Sequence, residues 1–190
     1  MPVRYFDLHQ NLYIPGRWYP DEPTDLHGQE IDDIWQFAEG HPVEFREPLR
    51  IPLYRSGRAV DFSLTPVGVT PIIHPKVASV FAELAPDDVQ LFPVEVEGQP
   101  EPYFLLNVTR LVRCIDDSAC EEVKYFKPED GQPEKTGTYR SVIGLRIDKS
   151  LVGDVKVFRT WGWPIALIVP EDIKEALERT GATGMRFTEV

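Results

Sequence analysis

The chain has 190 residues, of which 42% are hydrophobic and 27% charged, and its formal net charge is -11. These proportions exclude intrinsic disorder and fit one domain that buries its own core without disulfide or metal staples. The charge excludes nucleic acid and anionic membrane as expected partners, because concentrated negative charge is repelled by both.

Residues 3–8 form a short β-type run and are the first expected strand. They lack the apolar core of a signal peptide, and no run reaches the ~18 apolar residues of a membrane span, so a cytosolic location is expected. Cys114 and Cys120 are accordingly read as free thiols filling space near a strand. Residues 11–28, rich in Pro, Gly, Asp and aromatics, read as an irregular loop. Ile31, Ile34, Trp35 and Ala38 then recur at helical spacing, which predicts a helix over 29–39 with Gly40 just past its end. That helix would carry an acidic outer stripe of Glu30, Asp32, Asp33 and Glu39.

Two short strands are expected at 49–53 and 59–64, around the turn Arg55-Ser56-Gly57-Arg58. His74-Pro75 opens a second helix, with proline at the first helical position and an apolar stripe of Val77, Val80, Phe81 and Leu84. Residues 89–97 and 103–114 predict a hairpin, and Pro93 within its first arm suggests an edge or a bulge. Further strands are expected at 123–126, 139–147 and 155–158. Residues 165–169 form an apolar run typical of a buried strand. A third helix follows from Pro170, with Glu171 and Asp172 at its start and Gly181 at its end. A closing strand is expected at 185–190. The order predicts an α+β fold, a mostly antiparallel sheet carrying about three short helices. A single domain is expected over 1–190, with 1–69 as its more irregular lobe and 70–190 as its core.

The acidity is segregated. Between Arg17 and Arg46 lie Asp21, Glu22, Asp25, Glu30, Asp32, Asp33, Glu39 and Glu44 with no Lys or Arg. Between Lys76 and Arg110 lie Glu83, Asp87, Asp88, Glu95, Glu97 and Glu101, again with no base. Such segments either keep a surface solvated or attract a basic partner and speed its encounter.

Catalytic signatures are missing from the sequence. His9, His27, His41 and His74 form no HExxH or HxH pattern, and the cysteines lack metal-finger spacing. There is no nucleophile elbow, P-loop or dinucleotide fingerprint. Adjacent pairs such as Asp32-Asp33 point in different directions and make no two-carboxylate site. No catalytic residue, cofactor or metal is therefore expected. Trp161-Gly162-Trp163 either lines a ligand pocket, as a small-molecule enzyme would require, or packs over a sheet end. Trp18-Tyr19 is either an interface anchor or a loop anchor on the protein's own core.

The segments Asp87-Asp88-Val89-Gln90-Leu91-Phe92-Pro93-Val94 and Tyr103-Phe104-Leu105-Leu106-Asn107-Val108 carry a likeness to a known family. So do Lys156-Val157-Phe158-Arg159-Thr160, Ala166-Leu167-Ile168-Val169 and Gly184-Met185-Arg186-Phe187. Together they resemble the eleventh immunity-protein family of bacterial polymorphic toxin systems. The resemblance implies a protein that binds one cognate toxin, often a nuclease with a histidine-metal site, and blocks it in the producing or kin cell. It brings no catalytic residues with it. A nuclease has a basic cleft, which an acidic inhibitor can occlude. The expected contact set is Asp21, Glu22, Asp25, Asp32, Asp33 and Glu39, with Trp18 or Tyr19 as the desolvated anchor.

Overall fold

A computed structural model describes all 190 residues. In chain order the elements are β1 (Tyr5–Gln10), β2 (Tyr19–Pro20), β3 (Leu49–Ile51), β4 (Leu53–Arg55), β5 (Phe62–Leu64), β6 (Pro71–Ile73) and α1 (Pro75–Leu84). There follow β7 (Val89–Val96), β8 (Tyr103–Val108), β9 (Leu111–Val112), β10 (Glu122–Tyr125) and β11 (Tyr139–Ile143). The chain closes with β12 (Phe158–Thr160), β13 (Trp163–Pro170), α2 (Glu171–Arg179) and β14 (Met185–Glu189).

Two five-stranded sheets organise the molecule, in the orders β14-β1-β13-β12-β9 and β3-β7-β8-β6-β5. The α+β class stands, with two corrections. There are two α-helices rather than about three, because the expected helix over 29–39 is absent. Both large sheets are also mixed: β3 runs parallel to β7, and β9 parallel to β12. Pro93 causes no bulge in the β7–β8 register. It sits immediately before Val94, where β3 begins to pair.

The alternation of side chains along each strand divides the apolar residues among three cores. Phe6, Leu8, Leu167 and Val169 of the first sheet meet Phe62, Ile73, Leu106 and Val108 of the second, with α1 and α2 completing this central core. The reverse face of the second sheet packs Leu49, Ile51, Val94, Val96, Tyr103 and Leu105 under the loops that carry Trp18 and Phe37. The reverse face of the first sheet packs Tyr5, Phe158 and Ile168 under Cys114, Ile147 and Val152.

Local chemistry explains both helices. His74 caps α1 by accepting from the Lys76 N–H at 3.1 Å, and Pro75 takes the first turn, where its missing N–H costs nothing. Ile173 and Leu177 bury one face of α2, and Lys174–Glu178 and Glu175–Arg179 pair on the other. Cys114 and Cys120 are buried free thiols, and burial pushes Cys114 up to about 12.

Two ionisable groups, Asp7 and Arg159, are buried near one another. Arg159 is 1% exposed; it donates to the carbonyls of Pro164 at 2.7 Å and Val69 at 3.4 Å, and its Nε has no partner. Asp7 accepts from the Leu167 N–H at 3.2 Å. Burial raises Asp7 to about 6, against the opposing pull of His9, the Leu167 amide and Arg159. The folded state therefore holds a proton on Asp7 more tightly than the unfolded chain does. That contribution to stability is fully present below pH ~4 and is lost as pH rises through about 6. Asp7 is expected to raise the unfolding free energy by about 1.4 kcal/mol on going from about pH 7.5 to about pH 5. Asp7→Asn should flatten that slope. Urea titrations of both proteins at the two pH values check it, and a wild-type slope that survives the substitution rejects the assignment.

Candidate partner-binding surface

Residues 24–38 fold through side-chain-to-backbone bonds that compete with a helix. Asp25 Oδ1 accepts from the N–H groups of His27 and Gln29, at 2.8 and 2.9 Å, and the Asp25 N–H donates to the Gln29 carbonyl at 2.8 Å. Gly28, at φ 81°, supplies the left-handed residue this turn requires. Asp33 Oδ1 then accepts from the Trp35 N–H at 2.9 Å. Only a single 3-10 turn, Gln36–Ala38, survives of the expected helix 29–39. Its apolar stripe divides accordingly: Ala38 is buried, Ile31 and Ile34 are half-buried and Trp35 is 50% exposed, while Phe37, outside the stripe, is buried. The sequence signal for this outcome was the turn-forming pattern Asp25-Leu26-His27-Gly28, followed by two aspartates where a helix interior would lie.

The loop then closes the open edge of β3. Thr24 and Arg50 exchange both backbone hydrogen bonds, at 2.8 and 2.9 Å, and the Asp21 N–H donates to the Pro52 carbonyl at 2.8 Å. On the other side of β3, Arg50 lies opposite Glu95 in the parallel register with β7. The two acidic segments of the sequence are thus brought to opposite sides of one three-residue strand.

Each segment lines a groove. A groove of about 800 Å³ runs between Thr24-Gly28 and the β7–β8 turn, and carries Glu95, Glu97 and Glu101. Its one base, Arg50, lies 3.6 Å from Glu95. A second groove, of about 690 Å³, carries Asp25, Glu30, Asp32, Asp33, Glu44 and Glu47 against the single base Arg46.

The expected contact residues separate into inward and outward groups. Trp18 is 3% exposed and packs edge-on to Tyr103 at 5.4 Å, so it anchors its loop to the protein's own core rather than presenting itself to a partner. Tyr19 is half-buried, with Arg17 over its ring and Tyr54 beside it. Glu22 is buried: Oε1 accepts from the N–H groups of Val67 at 2.6 Å and Gly68 at 3.0 Å, and Oε2 has no partner. Asp21 Oδ1 accepts from the Glu22 N–H. Asp25 braces its own turn, and the Gln29 and His27 amides hold its carboxyl below the usual range. Asp32, Asp33 and Glu39 are exposed. Glu39 lies 2.7 Å from the His41 ring, which the Pro42 carbonyl and Glu39 push upward. Trp35 is the outward-facing tryptophan of this region, and the helical periodicity had assigned it to a buried face.

Elsewhere, Arg113 stacks over Trp161 at 4.3 Å. Trp163 packs against the third core and borders a groove of about 450 Å³ with Asp7, His9 and Arg146. No group of three or more His, Cys, Asp or Glu side chains converges in a metal-binding arrangement. No helix is long and apolar enough to cross a membrane.

The fold and surface define a two-sheet α+β protein that concentrates negative charge around one sheet edge. The chain belongs to the Imm11 immunity protein family, whose model matches residues 1–190. Membership assigns it a toxin-neutralising role with a cognate toxin as its partner. No curated protein matches the chain.

Proposed function

We propose that the chain neutralises a basic nuclease toxin in the cytosol, by seating its acidic face in the toxin's active-site cleft. The observation that carries this reading is the convergence of two acidic segments, distant in sequence, on the two sides of β3. A nuclease must attract a polyanion, so its cleft is basic. Clustered carboxylates within about a Debye length (~8 Å) of one another act on that cleft as a unit and steer encounter. Asp32, Asp33 and Glu39 supply exposed charge at this face, and Trp35 supplies the large aromatic surface that becomes desolvated on binding. Occlusion of this kind makes and breaks no covalent bond.

Co-expression with the toxin encoded beside the gene, scored by growth rescue and a co-purifying complex, tests the reading. The double reversal Asp32→Lys/Glu39→Lys, which leaves in place the Asp33 carboxylate that closes the Trp35 turn, should slow association about tenfold at low salt, with little change in dissociation or melting temperature. Association at the wild-type rate in low salt would reject this face.

A further inference from the structure

We infer that the partner straddles the Asp25–Gln29 turn, placing one basic segment in each of the two flanking grooves, with Leu26 wedged between them. The inference rests on the proposed function and deepens it, because it assigns each acidic segment its own groove and its own basic segment of the partner.

The turn is built to be rigid. One carboxylate oxygen of Asp25 accepts two of its N–H groups, the Gly28 N–H donates back to the Asp25 carbonyl at 3.2 Å, and Thr24 bridges both Glu30 and Arg50 at its base. Asp25 is therefore a brace, and its negative charge is committed to the turn. Leu26 is 44% exposed on this braced turn. The turn separates the two grooves: Thr24 and Gly28 line the first, and Asp25 and Gln29 the second.

The grooves differ in what they offer. In the first, Glu97 Oε2 accepts from the Leu53 N–H at 2.8 Å and Glu95 faces Arg50, which leaves Glu101 at the rim. In the second, Asp32, Glu44 and Glu47 are exposed. A single basic helix or strand would satisfy one groove and leave the other hydrated. A cleft with lysines or arginines on both walls matches both grooves, and its floor receives the apolar tip. Pre-bracing removes most of the ordering cost that a flexible loop would incur on insertion.

The test uses the full-length chain and a catalytically inactive form of the neighbouring toxin. Three variants carry it: Glu95→Lys/Glu101→Lys for the first groove, Glu44→Lys/Glu47→Lys for the second, and Leu26→Ser for the tip. Each charge variant should slow association several-fold at low salt and reduce its salt dependence, and the combined variant should show the product of the two effects. Leu26→Ser should speed dissociation about tenfold and leave the salt dependence unchanged. Hydrogen exchange in the complex should slow at residues 25–29 and 97–101 together.

Normal association by the first-groove variant, while Asp32→Lys/Glu39→Lys still slows it, would overturn the straddling arrangement and leave the proposed function standing. Protection confined to residues 29–47 would do the same. A wild-type chain that fails to bind the toxin removes both.

Discussion

Gly184→Ala is expected to lower the unfolding free energy by about 2–5 kcal/mol, a large share of the ~5–15 kcal/mol that holds a domain of this size together. Gly184 precedes β14 with φ 98°, a conformation alanine adopts only under strain, at a cost of about 1–2 kcal/mol. A Cβ there would also overlap the Phe62 carbonyl oxygen and lie 3.1 Å from the Phe62 nitrogen, so backbone meets backbone and no flexible side chain can give way. Overpacking of that kind adds about 1–3 kcal/mol. The position lies on the seam where the two sheets meet. Next to it, the Asp61 N–H donates to the Thr183 carbonyl at 3.0 Å, Asp61 Oδ2 accepts from the Thr183 N–H at 2.8 Å, and the Asn11 N–H donates to the Gly184 carbonyl at 2.7 Å. Gly181→Ala is the control: its φ of 68° is also left-handed, but nothing lies within 4 Å of a Cβ there, so only the strain applies. Urea unfolding with unchanged m-values should rank the two variants in that order. Equal losses would mean that the seam shifts to accommodate the methyl group.

The seam marks the boundary of what was legible in the sequence. α1, α2 and the β7–β8 hairpin are specified locally, by His74-Pro75, by Pro170 with Gly181, and by the Glu97-Gly98 turn. Pairing partners are not local. An alternating run shows which residues share a face, and nothing in it says which strand lies alongside. The parallel pairings β3–β7 and β9–β12 were therefore invisible. The run 103–114 read as one strand, yet it divides after Val108: Thr109 and Arg110 carry the chain across to the first sheet, where Leu111 pairs with Arg159. The helix expected over 29–39 failed because four apolar residues at the right spacing cannot outweigh turns closed by Asp25 and Asp33. The charge segregation was legible at once, but its convergence around β3 needed the Thr24–Arg50 and Arg50–Glu95 pairings, which join distant parts of the chain.

The two tryptophans of this region should separate folding from binding. Trp18→Ala empties a site that is 3% exposed and borders Tyr103, so it should cost about 3–5 kcal/mol of stability and reduce toxin binding only through the folded fraction. Trp35→Ala removes a side chain that is 50% exposed, and the Asp33–Trp35 backbone bond does not depend on the ring. Its melting temperature should stay near wild type. Its affinity for the toxin should drop by about 2 kcal/mol or more, roughly thirtyfold in Kd, mainly through faster dissociation. Thermal melts and binding kinetics on the two variants read these effects independently. The contrast follows from the collapse of the expected helix: a regular helix would have turned Trp35 inward, whereas the aspartate-closed turns leave it beside Asp32 and Asp33. A Trp35→Ala protein that binds the toxin as tightly as wild type would leave the acidic face without its anchor and reduce the interface to charge alone. Salt near 1 M, where the Debye length is ~3 Å, would then abolish binding, whereas an aromatic anchor preserves part of it.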